Sequence, residues 1–219
     1  LHNVEENVRL VELLGVEPAH TIPPLAALLT PEDEAAAERW LQEHNIDPMS
    51  LLIGFHAGSA EFKNHIRRRW DPGKYATLGM RLIKERNATV LLFGGPDELR
   101  LNESLNAAME HRGVIVQTPF MVTAALMKRC KLFVCNDTGL MHLAAALQIP
   151  IVTIFAFTNP TYVHPWQCRY TMVRHDLPCS PCFYYSPRYA RCMWKTDQFR
   201  CITHIEVDEV WSAVQKMME

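Results

Sequence analysis

Between residues 51 and 155 short apolar runs alternate with helix-length segments, and no other feature of the chain constrains its fold as tightly. Residues 51–55, 89–93, 114–116, 132–135 and 151–155 read as buried strands. The intervening segments 71–86, 97–111, 119–129 and 138–147 carry apolar residues at helical spacing. Strands separated by helices demand crossover connections, which are right-handed and produce a parallel sheet covered on both faces. The expectation is an α/β domain with a doubly wound parallel sheet. Ligands of such sheets bind outside the carboxyl ends of the strands, where the following helices begin.

The flanks differ in character. Residues 1–49 read as two helical pieces around an extended Thr21-Ile22-Pro23-Pro24 stretch, and are expected to be linker, the end of a preceding domain, rather than core. The second piece starts at Thr30-Pro31-Glu32-Asp33, a cap, a first-turn proline and two acids suited to the positive helix end. Residues 50–165 form the ligand-binding α/β domain. Residues 166–219 read as a Cys-rich loop segment and a closing helix from about 207 to 218. The chain opens on Leu1 rather than Met and shows no secretory leader, which suggests a piece of a longer protein.

Charge and cysteine content exclude several classes. Twenty-two Lys and Arg stand against 24 Asp and Glu, a net charge of -2, so no global positive field draws the chain onto nucleic acid or an anionic membrane. Any anion site is local. The apolar stretch 140–157 is interrupted by His142, Gln148 and Pro150 and reads as a helix followed by a strand, not a membrane span. Seven cysteines, all beyond the chain's midpoint, argue against a fully paired secreted scaffold and favour a reducing cytoplasm.

Four segments at strand ends carry chemistry. Asn136-Asp137-Thr138-Gly139-Leu140-Met141-His142 passes from strand to helix within two residues, which aims the free amides of Thr138, Gly139 and Leu140 into the crevice as an anion site. His142, four residues after Thr138, is expected to project into the same pocket; a capping Asp137 and a core His142 are the bland alternative. His56-Ala57-Gly58-Ser59 ends the first strand and leads to Arg67-Arg68-Arg69-Trp70; small residues let a backbone approach a phosphate, and a guanidinium fork holds its oxygens. A solvated basic loop is the competing reading. Gly94-Gly95-Pro96-Asp97-Glu98 and Thr118-Pro119 end the next two strands. Glu98 suits a ribose diol, although an acid in a first helical turn is favoured by the dipole alone.

Cys179-Ser180-Pro181-Cys182, followed by Cys192 and Cys201, offers a two-thiolate knuckle and two later thiolates, a donor set for tetrahedral zinc or iron. Reduced structural thiols and disulfides are the alternatives. Cys130, Cys135 and Cys168 read as small buried hydrophobes.

Together these motifs resemble glycosyltransferase family 9, the ADP-heptose:lipopolysaccharide heptosyltransferases, over nearly the whole chain. Asp137-Thr138-Gly139 with His142 is the most specific match. The resemblance implies the donor-binding, Rossmann-like half of a two-domain GT-B enzyme. It implies donor contacts at Ser59, Arg68 or the adjacent Arg69, Glu98, Thr118 on the adenine side, and Asp137, Thr138, Gly139 and His142 at the diphosphate.

It further implies inverting transfer to a lipopolysaccharide core acceptor, in the cytoplasm or peripheral to the inner membrane. Arg68 and His142 would stabilise the transition state, and no cofactor would be required for transfer. The family's Asp general base belongs to an acceptor-binding half absent from these residues, so catalysis needs that partner domain. The chain departs from the family's Lys-x-Trp-Pro pattern with Arg68-Arg69-Trp70-Asp71. A nucleotide-sugar-binding assembly module with a metal-stapled tail is the rival reading. A Cys-rich nucleic-acid binder is disfavoured, because the cysteine region has no helix with a basic face.

Overall fold

A computed structural model describes residues 1–17, 21–183 and 189–219. In chain order the elements are α1 (Asn3–Glu12), α2 (Pro31–Glu43), β1 (Leu51–His56), α3 (Pro72–Arg86), β2 (Ala88–Leu92), α4 (Leu99–Ala108), β3 (Val114–Ile115), α5 (Phe120–Lys128), β4 (Leu132–Asn136), α6 (Gly139–Ala146), β5 (Ile151–Ile154), α7 (Pro160–Val163), β6 (Tyr170–Val173), α8 (Arg200–Thr203) and α9 (Val207–Met218). A kinked 3-10 segment, Phe62–Arg68, lies between β1 and α3. A shorter one, Pro96–Glu98, precedes α4.

The six strands form one sheet in the order β3-β2-β1-β4-β5-β6, and every pairing is parallel. The doubly wound α/β fold expected from the alternation is therefore present. The strand order reverses between β1 and β4, so the crevice lies at their carboxyl ends. Alternating side chains of these strands feed two cores. Ile53, Phe55, Leu132 and Val134 pack with Trp70, Tyr75, Leu78 and Leu82 near α3 and with Val210, Trp211 and Val214 of α9. Leu52, Phe133 and Cys135 pack on the other face with Trp40 and Leu41 of α2, Leu126 and Met127 of α5, and Met141 of α6.

Local chemistry fixes the helix ends. Asp33 donates its amide to Thr30 Oγ1 at 3.2 Å while its carboxylate accepts from the Thr30 amide at 3.0 Å, a reciprocal cap with Pro31 in the first turn. Asp71 caps α3 by accepting from the Lys74 amide at 3.1 Å. Asn87, with φ of 51°, ends it in the left-handed conformation.

Two features depart from the sequence reading. Residues 31–46 are core rather than linker, because Ala37, Trp40, Leu41 and Ile46 are buried with α5 and α6. Residues 166–219 supply a sixth strand: Tyr170–Val173 pairs with β5, a four-residue edge too short to stand out among prolines and cysteines. The amino-terminal helix α1 lies outside the core. Leu13 and Leu14 are each 82% exposed, and α1 buries none of its residues. No helix among the described residues is long and apolar enough to cross a membrane.

Candidate functional site

A cleft of about 1190 Å³ opens at the carboxyl ends of the strands. Its walls come from the end of β1, the loops after β1, β2 and β3, the start of α5 and the amino terminus of α6. Asn136, the fully buried last residue of β4, holds the corner together. Its amide donates to the carbonyls of Ala57 and Gly58 at 2.9 and 3.1 Å. Its oxygen accepts from the Trp70 amide at 3.0 Å. One side chain thus ties both ends of the connection between β1 and α3 to the end of β4, and its buried polar atoms are partnered as burial requires.

Thr138 is the N-cap of α6, in extended conformation, and its own side chain makes no cap hydrogen bond. The first-turn amides of α6 therefore keep their capacity for an anion. Thr138, Gly139, Leu140 and Leu143 line the cleft, and a Cβ on Gly139 would meet nothing within 4 Å.

His56, the last residue of β1, joins the two chemical ends of the cleft. Its Nδ1 lies 3.0 Å from Thr138 Oγ1 and its Nε2 2.9 Å from Glu98 Oε2. Glu98 Oε2 also accepts from the Gly95 amide at 3.0 Å. Burial pushes the Glu98 pKa up, but His56, the Gly95 amide and Arg69 outweigh it and hold the carboxyl below its ordinary value. Gly58 is needed beside it, since a Cβ there would overlap the Glu98 carboxylate.

The adjacent arginines divide their work. Arg69 lines the cleft, donating from Nη2 to the Ser59 carbonyl at 2.5 Å and from Nε to Ser59 Oγ at 3.3 Å, with Glu98 Oε1 4.0 Å away. Arg68 turns inward, is 8% exposed, and donates from Nη1 to Asp137 Oδ2 at 2.6 Å and to the Asp137 carbonyl at 3.2 Å. Its Nη2 lies against His65 Nδ1. Asp137 Oδ2 also accepts from Thr158 Oγ1 at 2.7 Å.

Of the residues singled out in the sequence, Ser59, Arg69, Glu98, Thr118, Thr138 and Gly139 meet at the cleft. Arg68 and Asp137 pair beneath it, so of the two adjacent arginines between which the sequence leaves the choice open, Arg69 is the one that lines the cleft. His142 also departs from expectation. Thr138 is a cap and not a helical residue, so four-residue spacing must be counted from Gly139, and it delivers Leu143 to the cleft. His142 instead lies within electrostatic reach of Asp137 and His2; burial is the main cause holding its pKa below the ordinary imidazole value. The sequence places His56 and Asn136 at strand ends within these motifs but assigns neither a role, although both end central strands at the topological switch, which is the signal that could have found them.

Cys179, Cys182, Cys192 and Cys201 surround one small cavity of about 10 Å³. The Phe199 amide donates to Cys192 Sγ at 3.3 Å and Trp194 Nε1 to Cys179 Sγ at 3.4 Å. The donor chemistry suits a thiophilic ion, yet among the described residues no three His, Cys, Asp or Glu side chains stand as a formed ligand set. Burial pushes the Cys201 thiol up to about 11. Cys130 and Cys135 are buried and Cys168 half-buried.

The family model for glycosyltransferase family 9 (heptosyltransferase) matches residues 2–192. The chain belongs to glycosyltransferase family 9. Lipopolysaccharide heptosyltransferase 2 of Salmonella typhimurium is 34% identical over 128 residues, covering 56% of this chain and 36% of the relative. The crystal structure of the glycosyl transferase family 9 from Veillonella parvula superposes with a TM-score of 0.78 at 21% identity, over 99% of this chain and 60% of that one. The structure of E. coli ADP-heptose lps heptosyltransferase II gives 0.69 at 20% identity, over 94% and 56%. The chain thus spans between about a third and three fifths of the length of these family members.

Proposed function

We propose that this chain is the donor-binding half of an inverting glycosyltransferase that takes an ADP-heptose-like sugar nucleotide and serves a lipopolysaccharide core acceptor. The observation that carries the reading is the cleft itself, in which the uncapped amino terminus of α6, Arg69 and Glu98 face one volume. Membership of the heptosyltransferase family and the shared fold of the E. coli ADP-heptose lps heptosyltransferase II support the class of donor.

In this reading the diphosphate takes the α6 amides, the Thr138 hydroxyl and the Arg69 guanidinium, which would exchange part of its hold on Ser59 for phosphate oxygens. Glu98 Oε1 is left to accept from the ribose hydroxyls, because Oε2 is occupied by His56 and the Gly95 amide. Thr118, Thr123, Phe120 and Leu143 enclose the base. Arg68, Asp137 and Asn136 act indirectly, by setting the position of the loops.

As the acceptor oxygen attacks the anomeric carbon, the bond to the nucleoside diphosphate breaks and negative charge collects on the leaving group. Fixed amide dipoles and a cation at that position stabilise the transition state more than the bound donor. The carboxylate that takes the acceptor's proton would come from the preceding half of the protein, at the cytoplasmic side of the membrane where the acceptor is built.

The cysteine cavity enters this reading only structurally. Cys179, Cys182, Cys192 and Cys201 would hold zinc or iron as a cross-link, with no part in transfer.

Calorimetric titration of the chain with ADP tests the donor reading. Binding in the micromolar range, lost in Arg69→Ala, weakened about tenfold in Glu98→Gln and kept in Ser212→Ala on the remote face of α9, is the expected result. No ADP binding by the wild-type chain, or equal binding by all variants, rejects it.

A further inference from the structure

The segment that leads into the two arginines is anchored at its carboxyl end by the Arg68–Asp137 pair, but ahead of Arg68 it buries no residue of its own. Phe62 is 70% and Ile66 40% exposed, and Arg68 is the one buried residue within Phe62–Arg68. Two successive residues, Lys63 and Asn64, adopt left-handed backbone with φ of 53° and 64°, a conformation that costs free energy unless surrounding contacts enforce it. At the two left-handed residues those contacts come from the cysteine-bearing tail.

The Ala190 amide donates to the Lys63 carbonyl at 3.0 Å, and Asn64 Nδ2 donates back to the Ala190 carbonyl at 2.8 Å. Arg67 stacks its guanidinium over the Phe199 ring at 5.5 Å, and the backbone amide of Phe199 is in turn tied to Cys192 Sγ. His65 meets Phe183 edge-on at 5.1 Å. Just beyond the arginines, Trp70 Nε1 donates to the Ile205 carbonyl at 2.8 Å, and Lys74 Nζ reaches the Thr203 and Ile205 carbonyls at 2.9 and 2.8 Å.

On its other side the same segment enters the cleft. Phe62, Ser59 and Arg69 line it, and Ser59 Oγ donates to the His65 carbonyl at 2.9 Å, so a shift of the kink is passed directly to the serine that holds Arg69.

We propose that the tail is a brace for the arginine loop, and that Asn64, clasped to Ala190, is a positioning residue for the donor cleft although it does not line it. The proposal rests on the donor reading for its functional consequence, not for the brace itself. The brace pre-orders a loop that would otherwise sample many conformations, and pre-ordering raises affinity by removing an entropic cost of binding. It also gives the cysteine cavity a role: whatever fixes those thiols fixes Phe199 beneath Arg67.

The test uses Asn64→Gly and Asn64→Asp, which tolerate left-handed backbone but cannot donate to Ala190, and Arg67→Gln, which removes the independent contact with Phe199. Amide exchange of residues 61–69 and calorimetric ADP affinity are measured on each. The expected result is exchange about tenfold faster in that segment, unchanged protection in β1 and β4, and ADP affinity weakened about three- to tenfold, with Asn64→Asp the worst because a carboxylate then faces a carbonyl.

Wild-type exchange in all three variants overturns the brace. Faster exchange with unchanged ADP affinity overturns the positioning role. Failure of the wild-type chain to bind ADP rejects the donor reading and the positioning role with it, while the exchange measurement still decides whether the tail holds the loop.

Discussion

Arg68 and Asp137 form a buried ion pair, 2.6 Å between Nη1 and Oδ2, with their side chains 9% and 4% exposed. Each stands immediately beside a residue of the cleft wall, Arg69 and Thr138, so the pair locks the arginine loop to the start of α6. Removing one partner leaves the other as an uncompensated buried charge, which costs about 3 to 5 kcal/mol. Arg68→Ala and Asp137→Ala should therefore unfold at much lower urea concentration than wild type. Arg69→Ala, at the cleft edge, should lose ADP while shifting the urea midpoint little. A stability loss confined to Arg69→Ala would reverse the division of labour between the two arginines.

Glu98 supplies a pH prediction. Burial raises its pKa, and the His56 hydrogen bond, the Gly95 amide and Arg69 lower it by more. The folded pKa is thus below the unfolded one. The stability this gives is present above about pH 4.3, the ordinary glutamate value, and is lost as pH falls through the folded pKa. The carboxylate stays ionised in the folded protein across the neutral range, so its contribution to ADP binding should be flat from about pH 8 to pH 5. Glu98→Gln should weaken ADP about tenfold by losing a charge-assisted acceptor. A titration midpoint near neutrality that vanishes in Glu98→Gln would show that the carboxyl is not held down.

The residues that decide these outcomes were unevenly legible in the sequence. The five strands of the alternating region and the turn after Asn136 follow from apolar runs that end at small or capping residues, a signal local to each segment. The choice between Arg68 and Arg69 is not local. It depends on the left-handed kink at Lys63 and Asn64, which the distant Ala190 supports. His142 was misplaced because a cap residue does not share the helical period, and the boundary between cap and first turn is what spacing alone leaves open. The burial of Trp40 and Leu41 depends on α5 crossing above them. The strand Tyr170–Val173 gains its identity only from pairing with β5.

The cysteine cavity makes a prediction of its own. Burial raises the Cys201 thiol to about 11 and also raises Cys182, so these groups bind a metal only by giving up protons. Uptake of zinc by reduced protein should release protons and tighten as pH rises from about 6 to 8. One equivalent per chain in a chelator competition, reduced by Cys192→Ser, is the expected outcome. Reduced protein that takes up no zinc at any pH would leave the cluster as plain thiols.

A last prediction concerns three histidines around the α6 corner. His65, His142 and His164 are each held below the ordinary imidazole value, with burial the largest cause in every case. Arg68 adds to the depression at His65, and His2 adds to it at His142 and His164, while Asp137 opposes it at His65 and His142. The unfolded chain takes up these protons near pH 6.5, the folded protein only at lower pH. Unfolding is therefore favoured by acid: stability present above about pH 6.5 is lost as pH falls through the folded values. The melting temperature should drop between about pH 7.5 and pH 5.5, and His142→Gln should flatten that drop by removing one of the three groups. An equally steep drop in His142→Gln would mean that this imidazole titrates alike in the folded and unfolded protein, Asp137 offsetting burial in full, and a steeper drop would mean that Asp137 outweighs burial.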